Sequence, residues 1–507
     1  MSFPASVSPV IEGLIRDART GGDLRIVLDW LATPASSHAA DEVAALCVHL
    51  DLLERTTVEH AARVRILDIF HDRALRASLT LKPILAASGL PVEAGLRATA
   101  SQLCDVDMRL ARYYLGALDA GAALRPARAS GHAMVCVLDA YALHVLIGAD
   151  DPKGMWRTAN ALLPYARTPG PPGHQGSQGT ADAERLYRQL VALALAQPPN
   201  LTPADFFNVA EYVRSYSGAV QIQMQPPHRD LDSWYWLDDE LDQGPIALLR
   251  TPADSERGGH LIFCSCQRLG QVLGQHLDAI DEGGDAGDVH LPACLEERST
   301  RRLMRMLQSR WMAMPRRQHA RRTRTQQVLM LIGFDAIWQL LEHRDQSADW
   351  ENQTTQWVVR NDSPNGFSLD LESGQTGLIR PGTPVLIKGL GSRNWMICVV
   401  RWARSSQSDR VEAGVELLSH GAQAATVVFR DRNGAPRRPV AALRLPPLNN
   451  RRPHPALMFR SGTADGRDLF IAHSSASRCR LGDAQLSDLD VQTHAFDLFE
   501  LKELPAS

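Results

Sequence analysis

Apolar residues recur at helical spacing over residues 1 to about 167. Ile11, Leu14 and Ile15 form one set. Val43, Leu46, Cys47, Leu50 and Leu53 form a second, with Asp41 placed to cap it, and Val64, Leu67, Ile69 and Phe70 a third. Breaks fall at Thr33-Pro34, at Gly89-Leu90-Pro91 and around Gly121 to Pro126. No fixed repeat period is visible, so the pattern fits a helical bundle with its own core or a helical docking surface for another protein. Thr168 to Gly179 is dense in Pro, Gly and Ser and predicts a loop, after which helical patterning resumes over Ala181 to Ala196. Thr202-Pro203-Ala204-Asp205 combines a cap, a first-turn proline and a first-turn acid, and predicts a helix to about Tyr216.

The pattern changes at Pro226-Pro227. Trp234 to Leu237, Ile246 to Leu249 and Leu261 to Cys264 read as strands, and Gln267 to Ile280 as a helix. An acidic, glycine-rich loop follows over Asp281 to Asp288, then a basic helix over Leu295 to Met312. Residues 229–312 are therefore a small α/β module, a linker region or the rear of the helical domain. From Thr325 alternation dominates. Asp349 to Arg360, Phe367 to Leu371, Val385 to Lys388, Trp395 to Trp402 and Val411 to Leu418 read as strands, with Gly and Pro in the turns between them. Asp335 to His343 reads as a short inserted helix. Pro436 to Pro455 reads as extended, and Leu457 to Phe459, Leu469 to Ala472 and Phe496 to Leu501 as a β-rich tail.

A chain of 507 residues with 44% apolar and 22% charged content is built for several packed domains. The formal net charge of -3 excludes a protein that coats nucleic acid as a whole, so an anion site must be a local patch. The eight cysteines are scattered, as expected of core thiols in a reducing compartment. Cys264 and Cys266 near His260 have no second Cys/His pair at zinc spacing, so no metal is expected. No signal peptide is read at the N-terminus. The longest apolar candidate for a membrane helix, Val328 to Leu341, is broken by Asp335 and Gln339, and a cytoplasmic chain without membrane insertion is expected.

The densest basic stretch runs from Arg298 to Arg324 and contains Arg316, Arg317 and Arg321. Arg317-x-x-x-Arg321 followed by Asn361-x-Ser363-x-x-Gly366 resembles the signature of the PilZ domain, a small β-barrel receptor for cyclic di-GMP. The resemblance covers roughly Met314 to Arg430. It implies a PilZ-like antiparallel β-barrel (313–432), and with the patterning above the chain reads as a multidomain α+β protein: an α-helical N-terminal region (1–228), the 229–312 region, that barrel and a β-rich C-terminal extension (433–507). It also implies cyclic di-GMP as ligand, held by Arg316, Arg317, Arg321, Asn361, Ser363 and Gly366, with a basic residue at Arg316 favouring a stacked pair of ligands. The chemistry of these residues agrees. A guanidinium bonds bidentately to guanine O6 and N7 or to phosphate. Asn361 and Ser363 are short hydrogen-bonding groups, and Gly366 permits a tight turn and close approach of backbone to ligand.

Three function classes compete. The first is a cyclic di-GMP receptor that passes its state to an unidentified protein partner through the helical region, with motility, pili, biofilm or virulence as implied outputs. The second is a ligand-independent interaction scaffold. The third, a nucleic-acid binder using Arg298 to Arg324, is disfavoured by the acidic balance and by the lack of aromatic residues among Arg316 to Arg324. No enzyme is expected. No phosphate loop, His-Glu-x-x-His helix or nucleophile elbow is present, and His71-Asp72 and His228 to Asp232 read as ordinary surface or helix-end pairs.

Overall fold

The structure, a computed structural model, describes residues 21–121, 125–167, 183–250, 261–289, 297–313, 320–343, 353–371, 375–392, 394–407, 409–431, 433–448, 451–464, 466, 468–475 and 478–503. Ile11 to Ile15, the Thr168 to Gly179 stretch read as a loop, His260, Arg316 and Arg317 lie outside these residues. The helical region comprises α1 (Gly22–Leu31), α2 (Ala39–Arg55), α3 (His60–Ala87), α4 (Ala94–Asp119), α5 (Pro126–Leu146), α6 (Met155–Arg167), α7 (Ala183–Leu195) and α8 (Pro203–Tyr216). The start of α8 is the expected one: the Thr202 hydroxyl oxygen accepts from the Asp205 amide at 3.1 Å. Asp41 does not cap α2. It sits inside the first turn, where Glu42 instead accepts from the Ser36 amide at 2.6 Å and from Arg73 at 3.0 Å. Contrary to expectation, α5 is long and apolar enough by length and composition to cross a membrane. Its alanine-rich run is interrupted by polar residues, so no unbroken apolar stretch marks it in the sequence. In the fold 67% of its most apolar window is buried against the other helices, as in the core helix of a bundle.

The described residues of the 229–312 region pack against the helical domain. Strands β1 (Gln221–Gln223), β2 (Trp234–Asp238), β3 (Ile246–Ala247) and β4 (Leu261–Ser265) form a sheet in the order β1-β4-β2-β3. With α9 (Gln267–Asp281) and α10 (Glu297–Met312) they share the helices' core: Leu237, Ile262, Leu269, Leu303 and Trp311 are buried with Tyr187 and Tyr212. Strand β1 is short and polar, so alternation did not reveal it.

Two closed barrels follow. The first contains β5 (Arg322–Ile332), β6 (Thr355–Ser363), β7 (Gly366–Leu371), β8 (Pro384–Gly389), β9 (Met396–Gln407) and β10 (Arg410–Ser419). Trp357, Val359, Leu369, Val385, Val400 and Val415 fill it. The second contains β11 (Gln423–Phe429), β12 (Val440–Leu445), β13 (Ala456–Arg460), β14 (Asp468–Ser475), β15 (Arg478–Gln492) and β16 (Phe496–Glu503). Counted from its own first strand, each barrel has the same neighbours: first with second, second with third, third with sixth, sixth with fifth, fifth with fourth, fourth with first. This corrects two expectations and sharpens a third, the extended reading of Pro436 to Pro455. Gln423–Phe429 opens the second barrel and does not belong to the first, so the division falls before residue 423 rather than at 432. The Pro436 to Pro455 stretch contains a full strand, β12. The C-terminal extension is a barrel of its own, whose long β15 is too polar to stand out in the sequence.

The helix between β5 and β6, α11 (Phe334–Glu342), joins the barrels. Phe334, Ile337 and Leu340 pack with Leu386 and Ile397 of the first barrel and with Leu443, Met458 and Leu498 of the second. The first barrel also docks on the helical domain by main-chain bonds. Leu90 and Ile379 exchange two bonds of 2.9 Å, and the Gly377 amide donates to Pro91 O at 2.9 Å. The Ser405 amide donates to Gly148 O at 2.7 Å. Buried Arg97 donates to Ile147 O at 2.8 Å and to Ser405 O at 2.6 Å.

Candidate nucleotide-binding site

The Asn-x-Ser-x-x-Gly segment is the β6–β7 hairpin. Ser363 pairs with Gly366 across a turn made by Pro364-Asn365, and Asn365 O accepts from the Leu417 amide of β10 at 2.8 Å. A bulge at Arg360 separates the pairs Val359–Leu369 and Asn361–Ser368. Directly opposed residues share a face. Leu369 points inward, so its neighbour Ser368, with Asn361 opposite, faces outward. Ser363 and Gly366 face outward too. The Ser363 hydroxyl donates to Gly366 O at 3.3 Å.

The role expected of Gly366 changes. Its φ is not in the left-handed region, and the turn residues precede it. A Cβ there would stand 2.0 Å from Val415 O and 3.1 Å from the Glu416 Cα. Glycine is required because β10 crosses closely, whatever approaches from outside.

The pairing extends outward across five strands. Thr323 of β5 pairs with Asn361, Asn361 with Ser368, Ser368 with Gly414 of β10, and Gly414 with Trp402 of β9. A Cβ on Gly414 would lie 1.9 Å from Trp402 Nε1, so the indole lies across the glycine. Trp402 in turn lines a cleft of about 970 Å³ between the helical domain and the first barrel. Arg321, Arg380 and Arg404 line the same cleft, facing Trp156, Pro198 and Phe206 of the helical domain. Arg321 stands exposed just before β5, and Arg324 pairs with Asp362 at 3.0 Å. The fold thus gathers Arg321, Asn361, Ser363 and Gly366 on one side of the barrel. The strand bearing Trp402 and the Gly414 to Leu418 segment are visible in the sequence, but their place beside the motif depends on cross-strand register.

The basic helix α10 is not a free cationic patch. Arg301 pairs with Asp281 at 2.8 Å, Arg302 with Asp205 at 2.7 Å and Arg305 with Asp281 at 3.6 Å. Burial pushes the Arg310 guanidinium down to about 10, and it donates to Ala196 O. These four arginines of the Arg298 to Arg324 stretch thus have partners within the fold. His71, expected at a surface or helix end, is buried and stacks on His132 with ring centroids 4.4 Å apart. His228 stands in a polar groove beside β1. Cys264 and Cys266 are both buried, and burial raises their thiols well above the ordinary range.

Two family models match the chain. One, described as the N-terminal domain of the cyclic-di-GMP receptor FimW, covers residues 25–228. The other, described as the middle PilZ domain of the same receptor, covers residues 338–424. Together they span more than half of the 507 residues. The second contains Asn361, Ser363 and Gly366, while Arg316, Arg317 and Arg321 precede it. No curated protein and no solved structure matches the chain. The chain is a receptor for cyclic di-GMP and belongs to the PilZ-domain family.

Proposed function

We propose that Arg316, Arg317, Arg321, Asn361, Ser363 and Gly366 hold cyclic di-GMP, the last four standing on the outer face of the first barrel at the mouth of the interdomain cleft. The observation that carries this is the cross-strand row from Thr323 through Asn361, Ser368 and Gly414 to Trp402, which joins the motif hairpin to a cleft lined by Arg321. A volume of about 970 Å³ is at the upper end of ordinary ligand pockets. Arginine suits both the phosphates and the guanines. Asn361 and Ser363 add neutral hydrogen bonds, and no group in the set is arranged as base or nucleophile, so the site binds without chemistry.

The output is transmission to a partner protein through the helical domain, in control of motility, pili, biofilm or virulence. Two features support it. Arg97, Leu90 and Gly148 tie that domain to β9 and to the β7–β8 connection beside the site. Ile26, Val48, Leu79 and Ile84 leave apolar side chains exposed on α1, α2 and α3. The free, buried thiols fit a reducing cytoplasm.

Isothermal titration of the full chain with cyclic di-GMP tests the site. Saturable binding that is lost in Arg317→Ala/Arg321→Ala is expected, and its stoichiometry separates one ligand from a stacked pair. Binding that survives the double substitution unchanged would overturn the assignment.

A further inference from the structure

On the same outer face, Gly366 of β7 pairs with Glu416 of β10. Glycine leaves no side chain over this carboxylate, which accepts from two arginines. Arg401 is the extra residue of a bulge in β9, between Val400 and Trp402, and its Nε–H donates to Glu416 Oε2. Arg451 comes from the β12–β13 connection of the second barrel, and its Nη2 donates to Glu416 Oε1. The side chains of Arg401 and Arg451 are 39% and 41% exposed, against 20% for Glu416. Ion pairs this exposed add little to stability. The cluster carries one net positive charge and lies beside the Ser363–Gly366 pair. Ser363 and Glu416 are two strands apart, about 10 Å, within the span of one cyclic dinucleotide.

The donor and acceptor pattern of the cluster matches guanine. A guanidinium donates to O6 and N7, and a carboxylate accepts from N1–H and from the N2 amino group. Glu416 holds both guanidinium groups in place and keeps acceptor capacity, since each carboxylate oxygen has more than one lone-pair site. We propose that Arg401, Glu416 and Arg451 form a guanine-reading subsite of the cyclic di-GMP site, and that the second barrel completes the first barrel's site by supplying Arg451. This rests on the assignment of the ligand to the outer face of β6 and β7. It adds residues outside both motifs, one of them from a different domain.

The test is titration of the full chain with cyclic di-GMP and with its inosine analogue, which lacks the N2 amino group. Arg451→Ala and Arg401→Ala are each expected to weaken cyclic di-GMP binding at least tenfold with thermal unfolding unchanged. The wild type is expected to prefer cyclic di-GMP to the analogue, and Glu416→Ala to abolish that preference, a non-additive cycle between the carboxylate and the amino group. Wild-type binding with less than a twofold loss in both arginine variants would overturn the subsite and leave the underlying assignment standing. The same holds if Glu416→Ala keeps the full preference. Absence of wild-type binding would overturn both.

Discussion

The two barrels share one strand order and differ in what their connections carry. In the first, strands two and three meet in a two-residue turn with Ser363 and Gly366 as its closing pair. In the second, the corresponding connection is the Pro-rich stretch from Pro446 to Pro455, stapled by Arg452, which is 2% exposed and donates to Leu418 O at 3.1 Å and Pro446 O at 3.0 Å. Ahead of its first strand the first barrel has an arginine cluster, whereas the second has Ser419-His420-Gly421-Ala422. Between strands one and two the first inserts α11, whereas the second makes a short connection around Gly434. Interior alternation is enough to close either barrel. The site needs a tight hairpin, a glycine where a neighbouring strand crosses, and cations at its edge. On the proposed assignment, the same fold carries the site's hairpin in one copy and lends a single arginine to it from the other.

This contrast can be broken or sharpened by substitution. The largest effect is expected where the barrels depend on each other. Ile337→Ala empties a fully buried position on α11 and should cost about 3 kcal/mol in thermal or denaturant unfolding. A silent result would mean the barrels do not share a core. Gly366→Ala comes next, at about 3 kcal/mol from overpacking against Val415 O, with loss of ligand binding. Gly434→Ala, at a left-handed turn of the second barrel with φ of 80°, should cost about 1 kcal/mol and leave binding intact. Arg321→Ala should weaken cyclic di-GMP binding by about 2 kcal/mol, roughly 30-fold in titration. Ser363→Ala should cost about 1 kcal/mol, roughly fivefold. Arg438→Ala, exposed on the second barrel, should leave affinity unchanged. An equal loss at Arg438 and Arg321 would mean that general charge attracts the ligand and that the first barrel has no privileged face.

Much of this was legible along the chain. Thr202 and Pro203 announced α8 because a cap acts within three residues. The strands around Trp234, Phe367, Val385 and Val411 showed themselves as short apolar or alternating runs. The arginine and Asn-x-Ser-x-x-Gly motifs pointed to the ligand class through their resemblance to the PilZ signature, which is carried by a few residues at short spacing. What failed to show was polar or compositionally unusual. β1 and β15 lack clear alternation, β12 lies inside a stretch dominated by Pro and Arg, and α5 carries its hydrophobicity in alanine and scattered larger residues rather than in an unbroken run.

By itself the sequence determined the order of helical and β-rich regions and carried the motif whose family resemblance implies the ligand, since periodicity, caps and short motifs act over a few residues. Tertiary structure alone decided that residues 229–312 share the helical core, that Gln423–Phe429 opens a second barrel, and that α11 is the joint between barrels rather than an insertion to be tolerated. It also decided why position 366 is glycine and which side chains stand beside the motif. Those facts turn on register and close approach between strands distant in sequence. A shift of one residue in pairing would have turned Asn361, Trp402 and Glu416 to the opposite face.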